Sequence, residues 1–169
     1  MKKIEIYGKH NKDRIKKAID PNTIALRECM ENIPVLSFLE QKTMINQLYL
    51  ESDFDYKKEL LREIDKKVAS YKSQDINKNK YKSDNINRDE TIEKLVISKL
   101  KCYYCNQNVL LFYNKVRDMD QWTLDRIDNS INHSKENVIV SCLRCNLQRR
   151  CQDKDKFLFT KQLKIVKDY

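Results

Sequence analysis

The chain is poor in the residues that punctuate structure: 169 residues hold one glycine and two prolines. Turn-formers are therefore scarce, and helix is favoured over a turn-rich β architecture. Tryptophan occurs once and histidine twice. No run of about 18 apolar residues exists, so no membrane span is expected. The opening stretch, MKKIEIYGKHNKD, offers lysines without an apolar core, so no secretory signal is expected there and the protein is expected to work inside a cell.

What is abundant is charge. Asp, Glu, Lys and Arg make up 35% of the chain, mean hydropathy is -0.77 and the formal charge is +9. A core is possible but small. A positive excess of this size attracts phosphate backbones irrespective of sequence, although a lysine-rich solvated surface reads the same way.

Along the chain, residues 1–70 read as a helical N-terminal region. Leu36, Leu39, Ile45, Leu48 and Tyr49 recur at roughly helical spacing, as do Leu61, Ile64 and Val68. Pro21 and Pro34 mark breaks or first turns, and Cys29 reads as a small buried hydrophobe. Residues 71–90, YKSQDINKNK followed by YKSDNINRDE, form an imperfect duplication with few apolar positions. They read as a polar linker. From Thr91 the pattern changes. TIEKLVISKL predicts a short helix, KCYYCNQNVLLFYNKV a knuckle and then a strand, and QWTLDRID a second strand antiparallel to it. ENVIVSCLRCNLQRR predicts a short apolar segment and then a helix from about Leu143. The fold class expected is α+β.

Cys102-Tyr-Tyr-Cys105 and Cys142-Leu-Arg-Cys145 are two Cys-x-x-Cys knuckles. Inside a reducing compartment such spacing favours metal over disulfides. A two-residue gap lets both sulfurs of a knuckle face one ion, and two knuckles complete the four-thiolate tetrahedron that zinc prefers. A site closed in this way does no catalysis and staples a small core together. Cys151 is surplus to it.

Residues 102–150, carrying CYYC, LDRIDNSINHSKENVIVSCLRCN and the basic tail LQRR, resemble an HNH endonuclease domain of the zinc-bound ββα-metal type. Similar Leu-Asp-Arg-Ile-Asp-Asn modules are common in phages and large DNA viruses. The resemblance covers less than a third of the chain and implies a nuclease module over 91–169 that cleaves DNA phosphodiesters with Mg²⁺ or Mn²⁺. By it, Asp125 and Asn146 would hold the catalytic cation, and Asn137 would brace the loop between strand and helix. Arg126, Arg144, Arg149 and Arg150 would hold flanking phosphates.

One position departs from the family pattern. The usual general base is a histidine directly after the aspartate, and here that residue is Arg126, whose guanidinium has no acceptor for a proton. Three alternatives follow: His133 reaches in from the loop, Asp128 serves as base or extra ligand, or the module has lost cleavage and binds nucleic acid only. A viral structural or assembly protein reusing the fold is a further class; apart from the choice among these, the N-terminal helices offer a surface for a protein partner.

Overall fold

The computed structural model describes Arg27 and residues 33–163. Pro21 and Cys29 lie outside the described residues. The chain is α+β. Its elements run α1 (Phe38–Tyr49), α2 (Lys57–Asn77), α3 (Arg88–Ile97), β1 (Trp122–Arg126), β2 (Val138–Cys142), α4 (Leu143–Arg149) and α5 (Lys154–Gln162).

Two helices begin on capping boxes, in which a side chain and a backbone three residues on satisfy each other's free amides. Ser37 Oγ accepts from the Glu40 amide while Glu40 returns a bond to the Ser37 amide, and Asn87 and Glu90 repeat the arrangement at α3. Helix α2 starts instead from Tyr56 in the left-handed region and has no side-chain cap. It is held by burial of Leu60 and Ile64.

The polar linker expected at 71–90 is corrected. Residues 71–77 are the last two turns of α2, where Tyr71 and Asp75 are buried; Ile86 is buried beyond them, and residues 88–90 open α3. The low apolar content misled because this face of the helix buries polar groups that find partners, which offsets the cost of removing them from water.

The strand expected in VLLFY is also corrected. The backbone amides of Leu111 and Phe112 are taken by Oε1 of Gln41, at 2.8 and 3.0 Å, and those of Val109 and Leu110 go to Leu100 and Asp120. With its donors spent on a buried side chain and on loops, the segment joins no ladder and makes a single parallel bridge, Leu110 to Gln121. The second strand of the sheet comes from VIVSC. It pairs antiparallel with WTLDR in the register Trp122 to Cys142 and Arg126 to Val138. Helix α4 follows directly from β2 at Leu143.

One hydrophobic cluster ties these pieces together. It includes Met44 and Ile45 of α1, Leu60 and Ile64 of α2, Leu95 of α3, Trp122 and Leu124 of β1, Val138 and Val140 of β2, and Phe157 of α5.

Candidate metal centre and basic cleft

The two knuckles come from opposite ends of the zinc-type segment and meet. The first follows α3 through left-handed Lys99 and Leu100, and Asn106, also left-handed, donates its amide to the Cys102 carbonyl at 2.9 Å. The Tyr103 amide donates to Val140 O at 2.9 Å, which docks this knuckle on β2. The second knuckle straddles the β2–α4 junction, and Cys142 Sγ accepts the Cys145 amide at 3.4 Å. All four sulfurs lie within 4.8 Å of one another, with Cys105 and Cys142 at 3.9 Å. A tetrahedron with Zn–S bonds of about 2.3 Å has S···S edges of roughly 3.8 Å, so the donor set fits zinc.

The chemistry of the cluster asks for a cation as well. Hydrogen bonds from the Cys142 and Cys145 thiols hold Cys102 well below the ordinary thiol range. The same sharing, led by Cys102, pushes Cys142 up to about 12 and drives Cys145 higher still. Crowded thiols cannot all ionise unless positive charge is supplied among them. Cys102, Cys105, Cys142 and Cys145 would hold the ion, closing the site and fastening α3, β2 and α4 together. Cys151 is exposed and outside this set.

Successive residues of β1 face opposite ways. Thr123 and Asp125 face α4, where Asn146 and Arg149 are three apart and share one helical face. Asn146 Nδ2 donates to Thr123 Oγ1 at 3.1 Å. Arg149 donates from Nε to Asp125 Oδ2 at 2.6 Å and from Nη2 to Oδ1 at 3.3 Å, while Tyr104 donates its hydroxyl to Oδ2 at 2.7 Å. Arg149 also donates to the carbonyls of Arg126 and Gln152. Burial pushes the Asp125 carboxyl upward, opposed by these donors.

Two expected roles change as a result. Arg149 is 1% exposed with its guanidinium spent inside the protein, so the phosphate contact expected of it is corrected to an internal clamp. Both oxygens of Asp125 are already occupied beside a fixed positive charge. In this arrangement the Asp125–Asn146 pair does not fit a divalent cation.

The loop between the strands is closed by Asn137. Its Oδ1 accepts from the Asp128 amide at 2.9 Å, and its Nδ2 donates to the carbonyls of Asp128 and Asn132 at 2.9 and 2.8 Å. Asp128 is exposed and accepts from the Ser130 amide at 2.7 Å, and the Ser130 hydroxyl together with this amide lowers its carboxyl below the usual range. Arg144 pairs at the surface with Asp120 at 3.1 Å.

His133 is buried against α2. Its Nδ1 lies 2.9 Å from both oxygens of Asp75, its backbone amide donates to Asp75 Oδ2 at 2.8 Å, and its ring stacks on Tyr71 with centroids 4.8 Å apart. Nε2 makes no hydrogen bond within the described residues. Burial lowers the imidazole below its ordinary value more than the Asp75 carboxylate raises it, and the nearby Arg126 and Lys78 charges add to the lowering. The ring is therefore neutral near pH 7.

The free edge of β1 opens onto a cleft of about 700 Å³ between α2 and α4. His133 and Asn146 line it with Lys67, Lys78, Lys80, Arg126 and Arg150. Against these basic side chains the wall holds one carboxylate, Asp125, already paired with Arg149. Arg126 is buried, 3.5 Å from Asp75, and Lys67 is pushed down to about 7 by burial and by the neighbouring Arg27 charge.

Sequence reasoning missed the whole contribution of α2. Lys67, Tyr71 and Asp75 fall four apart, with Lys78 a turn further, and so form one stripe. That spacing was legible only if residues 71–77 were helical.

Fold and site define a small α+β protein in which a four-cysteine cluster able to bind a metal ion stands beside a basic cleft. No family model, no curated protein and no solved structure matches the chain. No helix among the described residues is long and apolar enough to cross a membrane.

Proposed function

We propose that the chain is an HNH-type nuclease that cleaves phosphodiester bonds in DNA inside a cell, with zinc as its structural metal. The observation that carries this reading is His133, a neutral imidazole whose Nε2 is unpaired among the described residues, in a cleft walled by cations. Nε2 takes a proton from water as the water oxygen bonds to phosphorus. The bond to the 3′-oxygen breaks and that oxygen takes a proton from solvent. Lys78, Lys80, Arg126 and Arg150 offset the charge that gathers on the phosphoryl oxygens. This assigns the base to His133 rather than Asp128, which is exposed and turned onto Ser130.

Mg²⁺ or Mn²⁺ belongs to this reading through the resemblance and would neutralise the same phosphoryl charge. No step runs through it, because Asp125 already accepts from Arg149 and Tyr104. That occupied carboxylate favours a second reading, a nucleic-acid-binding zinc module without cleavage. Plasmid nicking with Mg²⁺, Mn²⁺ or EDTA separates the two. Nicking that falls about 100- to 10,000-fold in His133→Ala supports the nuclease, whereas binding without nicking under all conditions supports the module.

A further inference from the structure

We infer that Asp75 is the positioning residue for His133, keeping the proton on Nδ1 so that Nε2 meets the cleft as an acceptor. Its catalytic consequence rests on the nuclease reading above; its placement does not. Asp75 lies on α2, well before the zinc-stapled segment, so the helical N-terminal region would supply part of the site rather than an appendage to it.

The contacts are specific. Asp75 is 0% exposed, and both its oxygens sit 2.9 Å from His133 Nδ1. A carboxylate in such contact can only accept, so Nδ1 carries the hydrogen, and in the neutral ring the other nitrogen is then bare. The carboxylate is itself fixed. Oδ2 accepts from the His133 amide at 2.8 Å and from Asn85 Nδ2 at 2.8 Å, while Arg126 Nη1 stands 3.5 Å from Oδ1. Tyr71, one turn earlier on α2, stacks on the imidazole and uses its hydroxyl oxygen to accept the Leu124 amide at 2.9 Å. The ring is thus held from the helix, the strand edge and its own loop.

The position is otherwise a poor one for an acid. Asp75 stands in the last turn of α2, which has no basic residue there, and a helix C-terminus disfavours negative charge. A buried carboxylate at that end needs the partners that converge on it. Of the groups facing His133, Asp75 favours the charged ring, Arg126 and Lys78 disfavour it, and Tyr71 contributes a stacked face.

Asp75→Asn separates positioning from mere packing. Two donors converge on Oδ2, so the amide oxygen of the variant takes that place and its NH₂ turns to Nδ1. Nδ1 then faces the NH₂ on one side and the amide oxygen on the other, so the hold on its hydrogen is divided and part of the population shifts to the Nε2–H tautomer. Long-range ¹H–¹⁵N correlation spectra of the full chain near pH 7, with His133→Gln separating the signals of the two histidines, read the tautomer directly. Protonated Nδ1 in the natural protein and a raised share of protonated Nε2 in Asp75→Asn are expected, with the nicking rate lowered in proportion to that share and DNA affinity within about twofold. An Nε2–H tautomer in the natural protein, or an unchanged tautomer in Asp75→Asn, overturns the inference. If Asp75→Asn does not fold, the tautomer of the natural protein decides alone. If the natural protein nicks nothing, the nuclease reading falls while the tautomer still decides the role of Asp75.

Discussion

Arg149 on α4 sets its Nε 2.6 Å from Oδ2 of Asp125 on β1, and both side chains are almost fully buried. The pair ties the helix after the second knuckle to the strand before it. It acts beside the cysteine cluster, which fastens the same helix to β2 and to the segment after α3. A buried ion pair adds little net stability over a well-packed apolar pair, but it is costly to break from one side.

Arg149→Met is accordingly expected to destabilise the protein by about 3–5 kcal/mol, because Asp125 stays buried without its cation. Asp125→Leu combined with Arg149→Met should recover most of that loss. Urea unfolding at fixed zinc content measures both. Equal stability of Arg149→Met and the natural protein would show that the clamp is not formed.

One zinc per chain is expected, and replacing any of Cys102, Cys105, Cys142 or Cys145 by Ser should remove it along with the cooperative unfolding of the C-terminal module. Cys151→Ser, at an exposed position, should leave both unchanged. Metal analysis beside thermal melting tests this, and a folded Cys142→Ser protein without zinc overturns it.

The cleft predicts which cations meet nucleic acid. Lys78→Ala with Arg150→Ala should flatten the plot of log affinity against log salt by roughly 1 to 2 units, about 0.9 for each phosphate that is no longer neutralised. Arg144→Ala, at a surface pair with Asp120, should change it less. Arg150 adds a second test. It holds φ 51 and ψ -111 at the end of α4, a conformation in which a side chain is strained. Arg150→Gly should raise stability by about 1 kcal/mol while weakening DNA binding, opposite signs that denaturant melts and salt titrations read separately.

The parts of this architecture written in local spacing were legible in the sequence. The cysteine knuckles and the helix starting at Leu143 follow from spacing and from the local pattern, and the fold places them so. The parts decided by long-range polar pairing were not. Gln41 satisfies two amides some seventy residues away and so abolishes a strand that VLLFY favours by propensity. Asp75, in a stretch that reads as solvated, is drawn into the interior by His133, Asn85 and Arg126. Arg149 reads as one of four basic residues facing phosphate, and only the position of Asp125 across the helix turns it inward. No local pattern signals a partner fifty residues distant.

The Asp75–His133 pair also sets an acid limit on stability. His133 is lowered in the folded protein from its ordinary 6.5 by burial, and Asp75 is lowered from 3.8 because the bonds from His133 and Asn85 outweigh its own burial. A lowered group contributes stability that is complete above its unfolded value and is lost as pH falls through the folded one. For His133 the loss therefore begins as pH drops below about 6.5, when the unfolded chain binds a proton that the folded chain resists; for Asp75 it comes lower, below about 3.8. Asp125, raised by burial, works oppositely, and its window opens upward from 3.8. Lys67, held down to about 7 by burial, carries a loss of its own as pH falls from about 10.5 to 7; below about pH 6.5 a further decline in melting temperature belongs to His133. His133→Gln, which keeps a polar side chain against Asp75 but cannot take up a proton in that range, should flatten the decline. Melting curves across pH at constant ionic strength measure it, and an equal decline in His133→Gln would place the acid sensitivity elsewhere in the chain.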